Sequence, residues 1–148
     1  MQAKDIMQTN VISVTKDTTI KEIAQILTDN KISGVPVVDE AGKLVGIVTE
    51  GDLLHKEANP RIPKFVGILG GILYFGGVDQ YKDDFKKLAA LKASEIMTSK
   101  VITVSKDTDV GTIATLMLEN NIKRIPVTES GKVIGIVSRA DIIKTIAQ

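Results

Sequence analysis

The constraint that governs this chain is that it is written twice. With Ala3 set on Ala93, Ile6-Met7 falls on Ile96-Met97, Val11-Ile12-Ser13-Val14 on Val101-Ile102-Thr103-Val104, and Lys16-Asp17-Thr18 on Lys106-Asp107-Thr108. The match runs on through Pro36-Val37 and Pro126-Val127 and, after one residue is dropped at a turn, sets Gly42-Lys43 on Gly131-Lys132. On the order of twenty positions are identical over roughly fifty aligned, the mark of a duplicated structural unit. Whatever fold one copy takes, the other must take as well.

Each copy parses the same way. Val11–Val14 is expected as a short strand, and Thr19, with Glu22 at capping-box spacing, opens a helix whose apolar face is Ile20, Ile23, Ala24 and Leu27. The second copy answers with Val101–Val104 and with Val110, Ile113, Ala114 and Met117. Asn30 and Asn120 are suited to end these helices in the left-handed region. Val35-Pro36-Val37-Val38 and Ile125-Pro126-Val127 then read as strands at an edge or with an irregular start, because proline donates nothing to a ladder. After a turn come the continuous apolar strands Leu44–Val48 and Val133–Val137, then a second helix from near Thr49 or Ser138, carrying Leu53-Leu54 or Ile142-Ile143 inward. The expected order is βαββα, twice, an α+β fold.

Composition sets limits on function. At 148 residues the chain can bury roughly 68–70% of its unfolded surface, so it needs neither disulfides nor a metal clip. Aromatic residues make up 3% with no Trp, so Val, Ile, Leu and Met must build the core. Nineteen basic residues nearly cancel eighteen acidic ones, which argues against nucleic acid or an anionic lipid surface as partner. The absence of cysteine removes a thiolate nucleophile and Cys-based zinc sites, and the single histidine, His55, anchors neither a metal cluster nor a Ser-His-Asp set. The reading is therefore not an enzyme, with no metal and no required cofactor. The N-terminus lacks the apolar core of a signal peptide, so a cytoplasmic location is expected.

Between the copies, residues 56–92 differ in kind. They hold an apolar stretch at 65–75, too short for a membrane span, and a charged helix candidate over 79–92. The stretch reads as packing over the repeats or as a surface for a dimer or another protein, with a membrane-surface role a lesser alternative.

The chemistry concentrates in one motif, Gly46-Ile47-Val48-Thr49-Glu50-Gly51-Asp52, repeated as Gly135-Ile136-Val137-Ser138-Arg139-Ala140-Asp141. A hydroxyl at a strand-to-helix junction lies where backbone N–H groups and the positive helix end converge, a favourable place for phosphate. The aspartate three residues on can accept from the paired hydroxyls of a ribose. The leading glycine would leave room for a base or sugar. The competing reading is structural: Thr49 to Asp52 and Ser138 to Asp141 are also plausible helix N-caps.

With these motifs in family order, the chain resembles the cystathionine-β-synthase (CBS) domain family, arranged as the tandem pair called a Bateman module. The resemblance covers about residues 3–55 as repeat 1 and 93–147 as repeat 2. It implies two βαββα repeats packed sheet to sheet about a pseudo-twofold axis, with clefts for AMP, ADP, ATP or S-adenosylmethionine, and a homodimer. It implies Thr49 and Ser138 on phosphate and Asp52 and Asp141 on ribose. Lys123 and Arg124, before Ile125-Pro126, match the family's phosphate-reaching basic residues, whereas Ser33-Gly34 in the first copy do not. Arg139 aligns with Glu50, so a phosphate-rich ligand is expected nearer the second repeat. Ser13 and Thr103 are weaker candidates for lining an adenine pocket. The function implied is a stand-alone regulatory module that binds an adenosine compound and signals by a conformational or dimer change to an unidentified protein partner. The alternative is a structural or interaction protein with vestigial clefts.

Overall fold

A computed structural model describes residues 1–57 and 87–148. The apolar stretch at 65–75 and most of the helix candidate over 79–92 lie outside the described residues; residues 87–90 are helical, and Leu88 is buried. The elements are α1 (Ala3–Ile6), α2 (Ile20–Asn30), β1 (Gly34–Val38), β2 (Leu44–Thr49), α3 (Glu50–Glu57), α4 (Ala93–Ile96), α5 (Val110–Asn120), β3 (Arg124–Glu129), β4 (Lys132–Ser138) and α6 (Arg139–Ala147). β1 pairs with β2, and β3 with β4, in two separate two-stranded sheets. The fold is α+β.

Two compact bodies form, and their boundaries cross the repeats. One gathers Met1–Ser13, Val38–Val45 and Lys100–Gln148; the other gathers Val14–Val37 and the described residues of Gly46–Ser99. The leading segment of the chain therefore packs with the second copy, and the segment that leads the second copy packs with the first. Backbone bonds fix the exchange. In the first body Ala3 N donates to Thr108 O at 2.8 Å and Lys4 N to Lys106 O at 2.9 Å, while in the second Ala93 N donates to Thr18 O at 2.8 Å and Ser94 N to Lys16 O at 3.1 Å.

Each core is aliphatic. The first body closes around Ala3, Val104, Ile113, Met117, Ile125, Val127 and Val137. The second buries Val14, Ile20, Ile23, Leu27, Val35, Val37, Ile47 and Val48, and each such side chain contributes about 1.5–3 kcal/mol relative to exposure. Thr19 caps α2 as its spacing predicts: its N–H donates to Glu22 Oε2 at 2.9 Å, and Glu22 N donates to Thr19 Oγ1 at 3.2 Å. Asp109 caps α5 through Gly111 N alone.

Four local expectations need correction. Val11–Val14 and Val101–Val104 are not strands; each contributes one parallel bridge, Val14 to Val37 and Val104 to Val127. The cause is proline: Val14 N donates to Pro36 O and Val104 N to Pro126 O, but the next rung would need an N–H from Pro36 or Pro126. Helices α2 and α5 end one residue later than expected, at Lys31 (φ 52°) and Asn121 (φ 51°). Asn30 and Asn120 stay helical because their side-chain amides donate to Ile26 O and Leu116 O at 2.9 Å. Leu54 and Ile143 are exposed rather than inward, since neighbouring helical residues point about 100° apart and only Leu53 and Ile142 are half-buried. Lys92 is the N-cap of α4 and so lies outside any helix running from residue 79.

The turns explain the dropped residue. In the first copy Asp39 Oδ1 accepts from Ala41 N and Lys43 N, with Gly42 at φ 82°. In the second, Glu129 pairs with Lys132 across Ser130-Gly131, both at positive φ, the tight two-residue hairpin that matches strand twist.

Candidate functional site

Both motifs sit at the mouth of a helix, directly after the strand that the register sets. In the first body Arg124 pairs with Ser138 across β3 and β4, and Arg139 N donates to Lys123 O at 2.9 Å. Lys123, Arg124, Ser138, Arg139 and Asp141 are thereby brought to one helix start. The backbone thus places three cationic residues beside it, with Arg139 and Lys123 exposed and Arg124 half-buried. In the second body the equivalent bond runs from Glu50 N to Ser33 O at 2.9 Å, and the same positions hold Ser33, Gly34 and an exposed Glu50. The electrostatic inequality between the two mouths is thus built into equivalent backbone positions.

The aspartates are engaged at close range. Asp141 Oδ2 accepts from Ser138 N at 2.8 Å and from Ser138 Oγ at 2.9 Å, while Asp141 N donates back to Ser138 Oγ at 3.3 Å. Asp52 Oδ2 likewise accepts from Thr49 N at 2.9 Å and Thr49 Oγ1 at 3.2 Å, and Asp52 N donates to Thr49 Oγ1 at 3.2 Å. Both pairs are therefore capping boxes, so the structural role anticipated for them is present. Asp141 is only 7% exposed, whereas Asp52 is half-buried.

The other carboxylate oxygen of each aspartate is met by a residue that sequence reasoning missed. Gln8 Nε2 donates to Asp141 Oδ1 at 3.0 Å, and Thr98 Oγ1 donates to Asp52 Oδ1 at 2.8 Å. Both follow the repeated Ile-Met, and both are held by paired backbone bonds: Gln8 with Ile136 at 2.9 and 3.0 Å, Thr98 with Ile47 at 3.0 and 2.9 Å. The repeat itself was the available signal, because it sets Gln8 on Thr98, two polar residues after the same dipeptide.

The leading glycines do not leave an open space. A Cβ on Gly135 would lie 2.5 Å from Met7 Sδ, and one on Gly46 2.5 Å from Met97 Sδ. Methionine fills the room that the sequence suggested for a base or sugar. Ser13 and Thr103 are exposed members of the first body, and among the described residues neither bonds to a motif.

Among the described residues no helix is long and apolar enough to cross a membrane. The CBS domain family model matches residues 3–59 and 93–148. The uncharacterized protein MJ1426 of Methanocaldococcus jannaschii is 34% identical over 154 residues, covering 99% of this chain and 91% of its own length. Among solved structures, the CBS domain pair of protein MJ0100, in complex with 5′-methylthioadenosine and S-adenosyl-L-methionine, is 30% identical with a TM-score of 0.74, covering 99% of this chain and 96% of that one. The CBS-domain containing protein ATU1752 from Agrobacterium tumefaciens has a TM-score of 0.76 at 25% identity, with 99% of both chains covered. Two matched copies that carry the same capped hydroxyl-to-aspartate junction lead to one assignment: the chain belongs to the CBS domain family, as a tandem pair.

Proposed function

We propose that this protein is a regulatory module that binds an adenosine-containing ligand, of the AMP, ADP, ATP or S-adenosylmethionine class, at the helix mouths of its repeats. What supports the reading is the backbone pairing that sets Lys123, Arg124 and Arg139 beside the Ser138 to Asp141 junction, at a helix start of the kind that favours an anion. A neighbour 30% identical over the full pair, that of MJ0100, binds 5′-methylthioadenosine and S-adenosyl-L-methionine, both adenosine compounds. Ser138 and Thr49 would contact phosphate or its equivalent, Asp141 and Asp52 the ribose, and Ser13 and Thr103 the base. Nothing in this role requires a reaction; the ligand acts by favouring the arrangement it binds better, which a second copy or a protein partner then reads.

A second reading has an observation of its own. Asp141 is buried and already accepts three hydrogen bonds, as a purely structural cap would. Under it the mouths are vestigial and the protein is architectural. A thermal-shift titration with AMP, ADP, ATP, S-adenosylmethionine and 5′-methylthioadenosine separates the two. A ligand at a hundred times its Kd raises stability by about 2.7 kcal/mol, so the regulatory reading requires a concentration-dependent rise in Tm with at least one compound. No rise with any of them favours the architectural role.

A further inference from the structure

All the sulfur in this chain is methionine sulfur, at Met1, Met7, Met97 and Met117, and the four stand in three different settings. Met117 is buried in the core of the first body, and Met1 is exposed. Met7 and Met97 are half-buried, and each lays its sulfur on a buried glycine of a motif strand, Gly135 and Gly46. These two are the methionines that are both partly open to solvent and packed against a motif.

The two copies differ around this contact but not in it. Gln8 stands where Thr98 does, Ser138 where Thr49 does and Arg139 where Glu50 does, yet methionine meets glycine in both, with Sδ and Cγ 2.5 and 2.9 Å from an added Cβ. A contact with no room for a methyl group on the glycine has none on that side for an atom added to the sulfur. A sulfoxide oxygen is also a polar acceptor, and Met7 packs on the aliphatic core of the first body, which holds no donor for it.

What the sulfur holds in place is the residue after it. Gln8 pairs with Ile136 through two backbone bonds of 2.9 and 3.0 Å and reaches Asp141, and Thr98 pairs with Ile47 through bonds of 3.0 and 2.9 Å and reaches Asp52. A methionine forced off its glycine carries the next residue with it, so the strand and the aspartate lose a partner together.

We infer that Met7 and Met97 are oxidation sites through which a peroxide loosens the leading segments from the motif strands. Hydrogen peroxide gives one oxygen atom to each thioether sulfur; its O–O bond breaks, the sulfur is oxidised by two electrons to the sulfoxide, and water leaves. Methionine sulfoxide reductases, one for each sulfoxide epimer, reverse the change. The inference is independent of whether the helix mouths hold a nucleotide.

The test treats the full chain with hydrogen peroxide and follows each methionine by peptide mass spectrometry. Met7 and Met97 should take up one oxygen each in the folded protein, later than Met1 and well before Met117. Hydrogen exchange at the amides of Gln8, Ile136, Ile47 and Thr98 should then speed up by about tenfold or more, and Tm should fall by about 3 °C or more, as a buried polar group without a partner requires. Treatment with both reductases should restore the original values. Met7→Leu/Met97→Leu, close in volume and without either sulfur, should keep its own exchange rates and Tm through the same peroxide treatment. Met7 and Met97 oxidised no faster than Met117, or oxidised with exchange and Tm unchanged, overturns the inference, and both results are read on the wild-type chain alone. A double variant that responds to peroxide as fully as wild type overturns it as well.

Discussion

The sulfur of Met7 occupies the place a side chain would need on Gly135: a Cβ built there would meet Met7 Sδ at 2.5 Å and Cβ at 3.2 Å. The pair recurs as Met97 on Gly46, where the backbone carbonyl of Thr98 also lies 3.1 Å from the added atom. Because Gln8 and Thr98 follow these methionines, the packing also registers the side chains that reach the motif aspartates.

Gly135→Ala and Gly46→Ala should therefore both destabilise, by about 1–3 kcal/mol for an overpacked contact. Gly46→Ala should cost more, because a methionine side chain can swing away and the Thr98 carbonyl cannot. Urea denaturation checks the order. In the double variant Gly135→Ala/Met7→Ala the costs should be less than additive, since the second change removes the obstacle to the first.

Asp141→Asn should be costly for two reasons that separate in measurement. An amide placed there can keep its oxygen on Ser138 N only by turning its NH2 toward Gln8, whose exposed amide must then flip to accept it, and the bonds to a charged carboxylate become neutral ones, a loss of about 1–3 kcal/mol. Ligand affinity should fall as well. Thr19→Ala, by contrast, removes a cap away from either motif and should cost about 1 kcal/mol while leaving adenosine-ligand affinity unchanged. Denaturant unfolding and calorimetry on the same two variants distinguish a cap from a cap that is also a site.

Arg139→Ala should weaken ATP by about 1 kcal/mol, near fivefold, and leave adenosine unaffected, because Arg139 is exposed and acts on the phosphates through a screened charge. Raising the salt concentration should narrow the difference between wild type and variant. Calorimetry at two ionic strengths reads both effects.

Lys31→Gly should stabilise the protein by about 0.5–1 kcal/mol. Lys31 holds φ 52° and ψ 44°, a conformation that burdens an L side chain and is neutral for glycine. Asn121→Gly, at φ 51° and ψ 48°, should gain less, since asparagine tolerates this region better. Thermal unfolding of the two single variants gives the comparison.

The duplicated motif could be read from sequence because its members are local: Thr49 with Asp52, and Ser138 with Asp141, lie three residues apart, and helix geometry alone joins them. Thr19 with Glu22 was legible for the same reason. Gln8 was not, because its bond to Asp141 spans 133 residues and depends on the exchange of leading segments between the two bodies. The same exchange brings the methionines onto the glycines, at positions where sequence alone suggests room for a ligand. Val11–Val14 carries the composition of a strand, and what limits it is the missing N–H of Pro36, a property of its partner. Lys31 gave no local sign, since Asn30 satisfies the helix from within and passes the left-handed turn to the next residue.

The most direct test is a crystal structure grown with AMP, ATP, S-adenosylmethionine and 5′-methylthioadenosine together. The account predicts an adenosine compound whose ribose lies within hydrogen-bonding distance of Asp141, with its 5′ substituent toward Ser138 and Arg139. Fully grown crystals with both helix mouths empty, or a ligand bound only beside Thr49 and Asp52, would contradict it.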